Sequence, residues 1–309
     1  MPMEEIKLHQ FAEKLELLGY SKRTIEDNPY CMGLFCRYLE EKENVHSLAD
    51  VKPEHLTAYH TYLQYGRFRQ GKYLATGTVV KRLEAVSLFY RVMYAEGLIE
   101  QDYAPFIVKP RKKRSLPRHV PAEKDMQTLL ESVAPADPIT LRDRCILELL
   151  YATGLRNQEL RTLPLIGVEL TEKTIFVTGK GSKDRVVPIG DWVMPYLLEY
   201  LQTARPKLVN PRDPTELLFV SKNGRMITEG NLGDMIKKYA RKAGLEIPIT
   251  AHSFRHACAT HMLKGGADIR YVQELLGHND LSSTQIYTKI DISTLKAAHK
   301  RYHPRERAE

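Results

Sequence analysis

Apolar residues recur at helical spacing through the N-terminal third of the chain. Ile6, Phe11, Leu15 and Leu18 precede Gly19 and predict a first helix. Ser21 is placed to cap a second helix reaching about Glu41, with Leu34, Phe35, Tyr38 and Leu39 inward and with Pro29 kinking it or delaying its start. Pro53-Glu54 opens a third, with Leu56, Tyr59 and Leu63 on its apolar face. After a loop from Gly66 to Gly77 that carries Arg67, Arg69 and Lys72, a fourth helix spans about Thr78 to Ala95. Val80, Leu83, Val86 and Phe89 or Tyr90 turn inward, while Lys81, Arg82 and Arg91 lie elsewhere on its surface.

The pattern breaks at Lys109–Arg118, which holds six basic residues, two prolines and no acid, and so cannot build a core. Beyond it, one helix is expected from Ala122 to about Val133 and a buried one from Leu141 to about Tyr151. Two β-branched runs, Thr174–Thr178 and Arg185–Ile189, flank the glycine-rich turn Gly-Lys-Gly-Ser-Lys-Asp and read as a hairpin. Two or three more helices follow, then a His-rich segment, then a helix over Ile269–Leu276 closed by Gly277. A short helix is expected from Leu281, with Asp280 as its cap. The chain therefore reads as mainly α with a small β-sheet. It divides into a helical domain over 1–107, a basic linker over 108–118 and a second domain over 119–309.

Composition adds direction. A net charge of +8 over 309 residues favours a polyanionic partner, most simply nucleic acid. Lys81, Arg82, Lys109, Arg111, Lys112, Lys113 and Arg114 are the candidates for contact with phosphates. The four cysteines, Cys31, Cys36, Cys145 and Cys258, form no C-x-x-C pair and read as reduced, buried thiols. No stretch approaches the ~18 apolar residues of a membrane span, and the N-terminus lacks a basic region followed by an apolar one. A cytoplasmic protein is expected.

Candidate chemistry concentrates near the C-terminus. His252-Ser-Phe-Arg255-His256, Leu276-Gly277-His278 and, nine residues on, Tyr287 supply imidazoles, a guanidinium and a phenol, with no carboxylate among them. Upstream, Arg156 follows Gly154 at the start of a helix, and Lys183 sits in the hairpin turn. These residue types suit attack on a phosphodiester by a tyrosine. The phenol, with a pKa near ~10, is a poor nucleophile unaided. Charge grows on the non-bridging oxygens, so fixed cations must already stand there. Guanidiniums can bridge two of those oxygens. One histidine can donate to the phosphate, a second can help accept the phenolic proton, and a lysine at a hairpin tip can protonate the leaving oxygen.

Taken singly, each residue has a plainer reading: Arg156 as a surface ion pair with Glu159, Lys183 as a solvated charge, Tyr287 as half-buried packing. Their joint occurrence, in order, favours the chemical one. The boxes Thr-Gly-Leu-Arg-x-x-Glu-Leu (153–160), Gly-Lys-Gly-Ser-Lys-Asp-Arg (179–185), His-Ser-Phe-Arg-His (252–256) and the stretch 265–288, ending Leu-Gly-His…Gln-Ile-Tyr-Thr, closely resemble the tyrosine recombinase (phage integrase) family, within it the Xer-like site-specific recombinases. One departure is Asn28-Pro29, where that family usually has a tyrosine in its second helix.

The resemblance implies a two-domain, C-shaped clamp around duplex DNA, with a helical core-binding (SAM-like) domain and a tyrosine-recombinase catalytic domain. It makes Tyr287 the nucleophile, Arg156 and Arg255 the phosphate clamps, Lys183 the general acid, His278 a phosphate donor and His252 an aid to proton transfer. It implies a 3′-phosphotyrosyl intermediate and a Holliday junction, with no cofactor, metal or ATP. It also implies a homo-tetramer, or a hetero-tetramer with a paralogue, joined through a C-terminal helix whose Leu295, Ala298 and Tyr302 pack on the neighbour. Chromosome dimer resolution and mobile-element integration or excision both remain open. Three other readings are a metal site at His252, His256 and His261, a type IB topoisomerase-like relaxing enzyme, and a DNA-binding accessory protein with a decayed site.

Overall fold

The computed structural model describes residues 3–68, 71–110, 120–178, 184–277 and 292–307. The chain divides into two compact units, Met1–Leu116 and Pro117–Glu309.

The first unit is built on helices α1 (Met3–Leu17), α2 (Lys22–Tyr38), α3 (Pro53–Tyr65) and α4 (Thr76–Ala95). Phe11 of α1 meets Phe89 of α4 edge to face at 5.2 Å, and Phe35, Tyr59 and Tyr90 are buried beside them. Two expectations are corrected. Ile6 and Leu18 are exposed, because the buried stripe of α1 runs through Leu8, Phe11 and Leu15. These lie at i, i+3 and i+7, whereas Ile6 points well away from Phe11 and Leu18 falls beyond the helix end. Pro29 does not delay α2, which starts at Lys22 with Ser21 accepting the Thr24 N–H at 3.3 Å. Proline removes one backbone donor. Within the same turn the Asn28 side-chain amide donates to the Thr24 carbonyl at 2.8 Å.

In the second unit, α5 (Glu123–Glu131) leads to α6 (Pro138–Thr153), which is buried from Leu141 onward. Asp137 caps α6 by accepting the Ile139 and Thr140 N–H groups at 2.8 and 2.9 Å. A helix buried on all sides must neutralise its own charges. Asp143 takes Arg142 and the Tyr239 hydroxyl (3.0 Å each), and Glu148 takes Arg144 (2.9 Å) and Arg305 (3.2 Å). After α7 (Asn157–Arg161) comes an antiparallel sheet ordered β1 (Val168–Glu169), β2 (Thr174–Thr178), β3 (Asp184–Pro188). Ile175, Val177 and Val187 face the core. The rest is α8 (Met194–Glu199), α9 (Arg205–Leu208), α10 (Glu229–Lys242), α11 (Ala251–Lys264), α12 (Ile269–Leu276) and α13 (Ile292–Tyr302).

The stripe on α13 expected to seat on a neighbouring protomer is buried in its own unit instead. Leu295 and Ala298 lie in the core. The reason is polar as well as apolar. Nε2–H of His299 donates to the Ala152 carbonyl at 2.7 Å, and that of His303 donates to the Tyr151 carbonyl at 3.1 Å, so both close the last turn of α6.

These histidines make the unit acid-sensitive. Nδ1 of His303 accepts the Arg305 N–H, and Nδ1 of His261 faces the Tyr151 hydroxyl while its Nε2 faces the Pro121 carbonyl. Burial, the largest cause, holds His261, His299 and His303 below the ordinary imidazole range, His303 well below it. A depressed histidine contributes its full stability above its unfolded pKa of ~6.5 and loses it as pH falls. Thermal melts from neutral pH downward should show the C-terminal unit losing stability first below about pH 6.5. A flat profile to about pH 5 would contradict the assignment of neutral, buried imidazoles.

Candidate active site

Gly154 ends α6 with φ 60°, a left-handed cap that turns the chain sharply into Leu155 and Arg156. A β-carbon there would lie 2.5 Å from the Leu276 side chain, so this glycine also lets the end of α12 approach. Arg156 is the N-cap of α7, and Glu159 accepts its backbone N–H at 2.9 Å. Glu159 also takes the Arg156 guanidinium at 2.7 Å, and it is buried rather than on the surface.

Gly277 closes α12 with φ 63° and ψ 55°, as the spacing predicts. The last carbonyls of a helix lack intrahelical partners and carry the negative end of its dipole. Three guanidiniums from three different elements serve them in succession. Arg185 of β3 donates to the Leu275 carbonyl (3.2 Å), Arg255 of α11 to that of Leu276 (2.7 Å) and Arg156 to that of Gly277 (3.1 Å). Arg255 also donates to the Gly154 carbonyl at 2.8 Å, tying the ends of α6 and α12 together. Arg185 grips both oxygens of Glu159 at 2.9 and 2.8 Å.

Electrostatically this is a knot of three guanidiniums around one carboxylate, with positive charge in excess. Burial alone would raise the Glu159 carboxyl. The hydrogen bonds and charges of Arg185 and Arg156 outweigh burial and hold it at about 2. Burial, then repulsion from Arg156 and Arg185, lowers Arg255 to about 10, which leaves it cationic at neutral pH. The side chain of Arg156 is 40% exposed against 8% for Arg185, so Arg156 is the more open of the two to a bound anion.

His252 stands exposed on the first turn of α11, on the helix that carries Arg255, and its Nε2 lies 2.9 Å from Nε2 of His256. His261 is buried and engaged elsewhere. The three imidazoles proposed as a metal site therefore do not converge, and among the described residues no group of three or more His, Cys, Asp or Glu could hold a metal ion. All four cysteines are buried and free.

Of the residues singled out from sequence, the structure brings Arg156 and Arg255 together at the end of α12 and places His252 one turn from Arg255. Lys183, His278 and Tyr287 lie outside the described residues, as do Arg111, Lys112, Lys113 and Arg114. In the first unit Lys81 pairs with Asp27 at 2.8 Å, Arg82 stacks over Phe68 at 5.5 Å, and Lys109 is exposed. Two members of the site escaped the sequence reading: Glu159 as a buried hub, and Arg185. The alternation of β3 held the signal for Arg185, since it shares a face with buried Val187. A charge at an inward position needs partners.

Residues 120–293 match the phage integrase family. The chain belongs to that family. It is a Xer-like tyrosine recombinase, 36% identical over 293 residues to tyrosine recombinase XerC 2 of Ralstonia nicotianae, covering 94% of this chain and 84% of that one. It is 43% identical over 239 residues to tyrosine recombinase XerD of Pseudomonas aeruginosa, covering 77% and 79%. The fold is that of solved recombinases. XerH site-specific recombinase, bound to difH substrate in a pre-cleavage complex, aligns with TM-score 0.63 at 22% identity over 83% of this chain and 74% of that chain. A lambda integrase dimer bound to a COC′ core site aligns with TM-score 0.65 at 17% identity over 94% and 100%. Among the described residues of this recombinase no helix is long and apolar enough to cross a membrane.

Proposed function

We propose that this site-specific recombinase cuts and rejoins duplex DNA with Tyr287 as its nucleophile. The phenolic oxygen attacks the scissile phosphorus, the bond to the 5′-oxygen breaks, and a 3′-phosphotyrosyl link forms. Arg156 and Arg255 hold the non-bridging oxygens, and His278 adds a further hydrogen bond. His252 helps take the phenolic proton. Lys183 protonates the leaving 5′-oxygen, and the reverse step on a new 5′-hydroxyl rejoins the strand. No net bond energy is lost, so no ATP is consumed. The observation that carries this reading is the meeting of Arg156 and Arg255 on the end of α12, directly before His278 in the chain.

On this reading the N-terminal unit is the DNA-binding domain and the C-terminal unit the catalytic one. Lys81, Arg82 and the basic stretch with Lys109, Arg111, Lys112, Lys113 and Arg114 contact the phosphate backbone. Four protomers, of this chain alone or with a paralogue, exchange strands through a Holliday junction in the cytoplasm.

The test uses DNA fragments recovered on the protein from its host, rebuilt as nicked duplexes that release the cleaved end. A covalent adduct resistant to denaturant should accumulate, and EDTA should leave it unchanged. An adduct abolished by EDTA and restored by a divalent cation would return the metal-nuclease reading. Fragments bound but never cleaved would return the accessory-protein reading.

A further inference from the structure

We propose that Arg185 is a positioning residue that keeps Arg156 available to the phosphate by occupying both oxygens of Glu159. This rests on the reading above, in which Arg156 clamps the scissile phosphate.

The geometry is a competition for one carboxylate. Each Glu159 oxygen accepts one bond from the Arg185 guanidinium and one from Arg156: Oε1 from the Arg156 side chain, Oε2 from the Arg156 backbone N–H. With both oxygens shared in this way, Arg156 reaches Glu159 through a single guanidinium nitrogen and turns its other terminal nitrogen to the Gly277 carbonyl. Carboxylate and guanidinium otherwise prefer a two-pronged pairing. If Arg185 withdrew, the buried carboxylate would keep Arg156 as the one guanidinium hydrogen-bonded to it and draw it into such a pair, away from an incoming phosphate.

Arg185 is built into this place. It leaves β3 on the buried face, opposite Val177, and is anchored at its Nε by the Leu275 carbonyl. Its Cδ, Nε and Nη1 pass over Gly277, where a β-carbon would stand 3.0, 3.2 and 3.3 Å from them. The glycine that caps α12 is thus also the gap through which Arg185 reaches Glu159. The same side chain ties the strand that follows Lys183 to the helix that precedes His278.

The test is single-turnover cleavage of the nicked duplex by Arg185→Ala and Arg185→Lys, each alone and combined with Glu159→Gln, with DNA affinity and melting temperature measured alongside. Arg185→Ala should bind DNA like wild type and cleave about 100-fold more slowly, the scale of losing one stabilising donor. Arg185→Lys keeps the charge but cannot fork onto two oxygens, so it too should cleave slowly, by about 10-fold or more. Adding Glu159→Gln to either variant should raise the rate again, because a neutral amide holds Arg156 only weakly.

Wild-type cleavage by Arg185→Lys would reduce the role of Arg185 to net charge and overturn the proposal. A deeper loss on adding Glu159→Gln would make the pair a structural brace and overturn it as well. If Arg185→Ala fails to fold, the Lys series decides by the same criteria. Absence of any adduct with wild type, or wild-type cleavage by Arg156→Ala, would instead count against the underlying functional reading.

Discussion

Replacing Tyr287 by phenylalanine is expected to abolish the denaturant-resistant DNA adduct while leaving DNA affinity unchanged. The substitution removes one oxygen and keeps the ring, so the proposed attacking atom is lost with the least change of shape. Removing an activated nucleophile costs on the order of a million-fold in rate, because the remaining groups stabilise charge but cannot form the bond. Arg156 and Arg255 would still present their guanidiniums at the end of α12, since their described contacts are to Glu159 and to the carbonyls of Gly277, Leu276 and Gly154. Binding and cleavage should therefore separate cleanly. Gel shift reports the first and a denaturing gel the second. An adduct that persists in Tyr287→Phe, mapped by peptide analysis to another tyrosine, would remove Tyr287 from the role proposed here.

Ending the chain before Ile292 is expected to unfold the C-terminal unit rather than to impair only the assembly of protomers. Three losses coincide. The Tyr151 carbonyl loses His303, the Ala152 carbonyl loses His299 and keeps only the weak Cys258 thiol at 3.8 Å, and a buried acceptor left unpaired costs about 1–3 kcal/mol. Glu148, fully enclosed, loses Arg305 and keeps only Arg144. The core under Leu295 and Ala298 opens to water. Together these reach on the order of 5 kcal/mol, comparable with the whole stability of many domains. Denaturant titration of the truncated chain should show the transition of this unit lost or shifted far down. His303→Ala alone should shift it partway. A truncated chain that unfolds like wild type and fails only in recombination would restore the expectation that this helix serves a neighbouring protomer.

Much of the helical framework was legible because it depends on local signals. Ser21 and Gly277 are caps whose chemistry acts within a turn of the chain, and each stands where the spacing places it. The hairpin strands followed from β-branched runs around a glycine-rich turn. The structure departs from the pattern where periodicity has the wrong phase, as at Ile6, which is exposed, and at Pro29, which α2 accommodates in its interior. The site was legible as a set of residue types and only partly as an arrangement. Glu159 reads as a surface partner of Arg156 because a helix N-terminus normally faces water. In the fold that terminus is covered by β3 and the end of α12, and the same glutamate becomes a buried hub.

The sequence by itself determined which groups are available: two arginines far apart in the chain, a histidine-rich box, a tyrosine, and the family to which they belong. The tertiary structure decided which groups share a carboxylate. Arg185 reaches Glu159 and the end of α12 only because the pleat of β3 turns it inward and Gly277 leaves room for it. It likewise decided that the C-terminal helix closes α6 within its own unit, through two imidazoles whose partners lie about a hundred and fifty residues upstream. Local propensity acts over a few residues. The pairing of buried charges and the closing of buried carbonyls depend on segments brought together by the core, and no single stretch of the chain contains both partners.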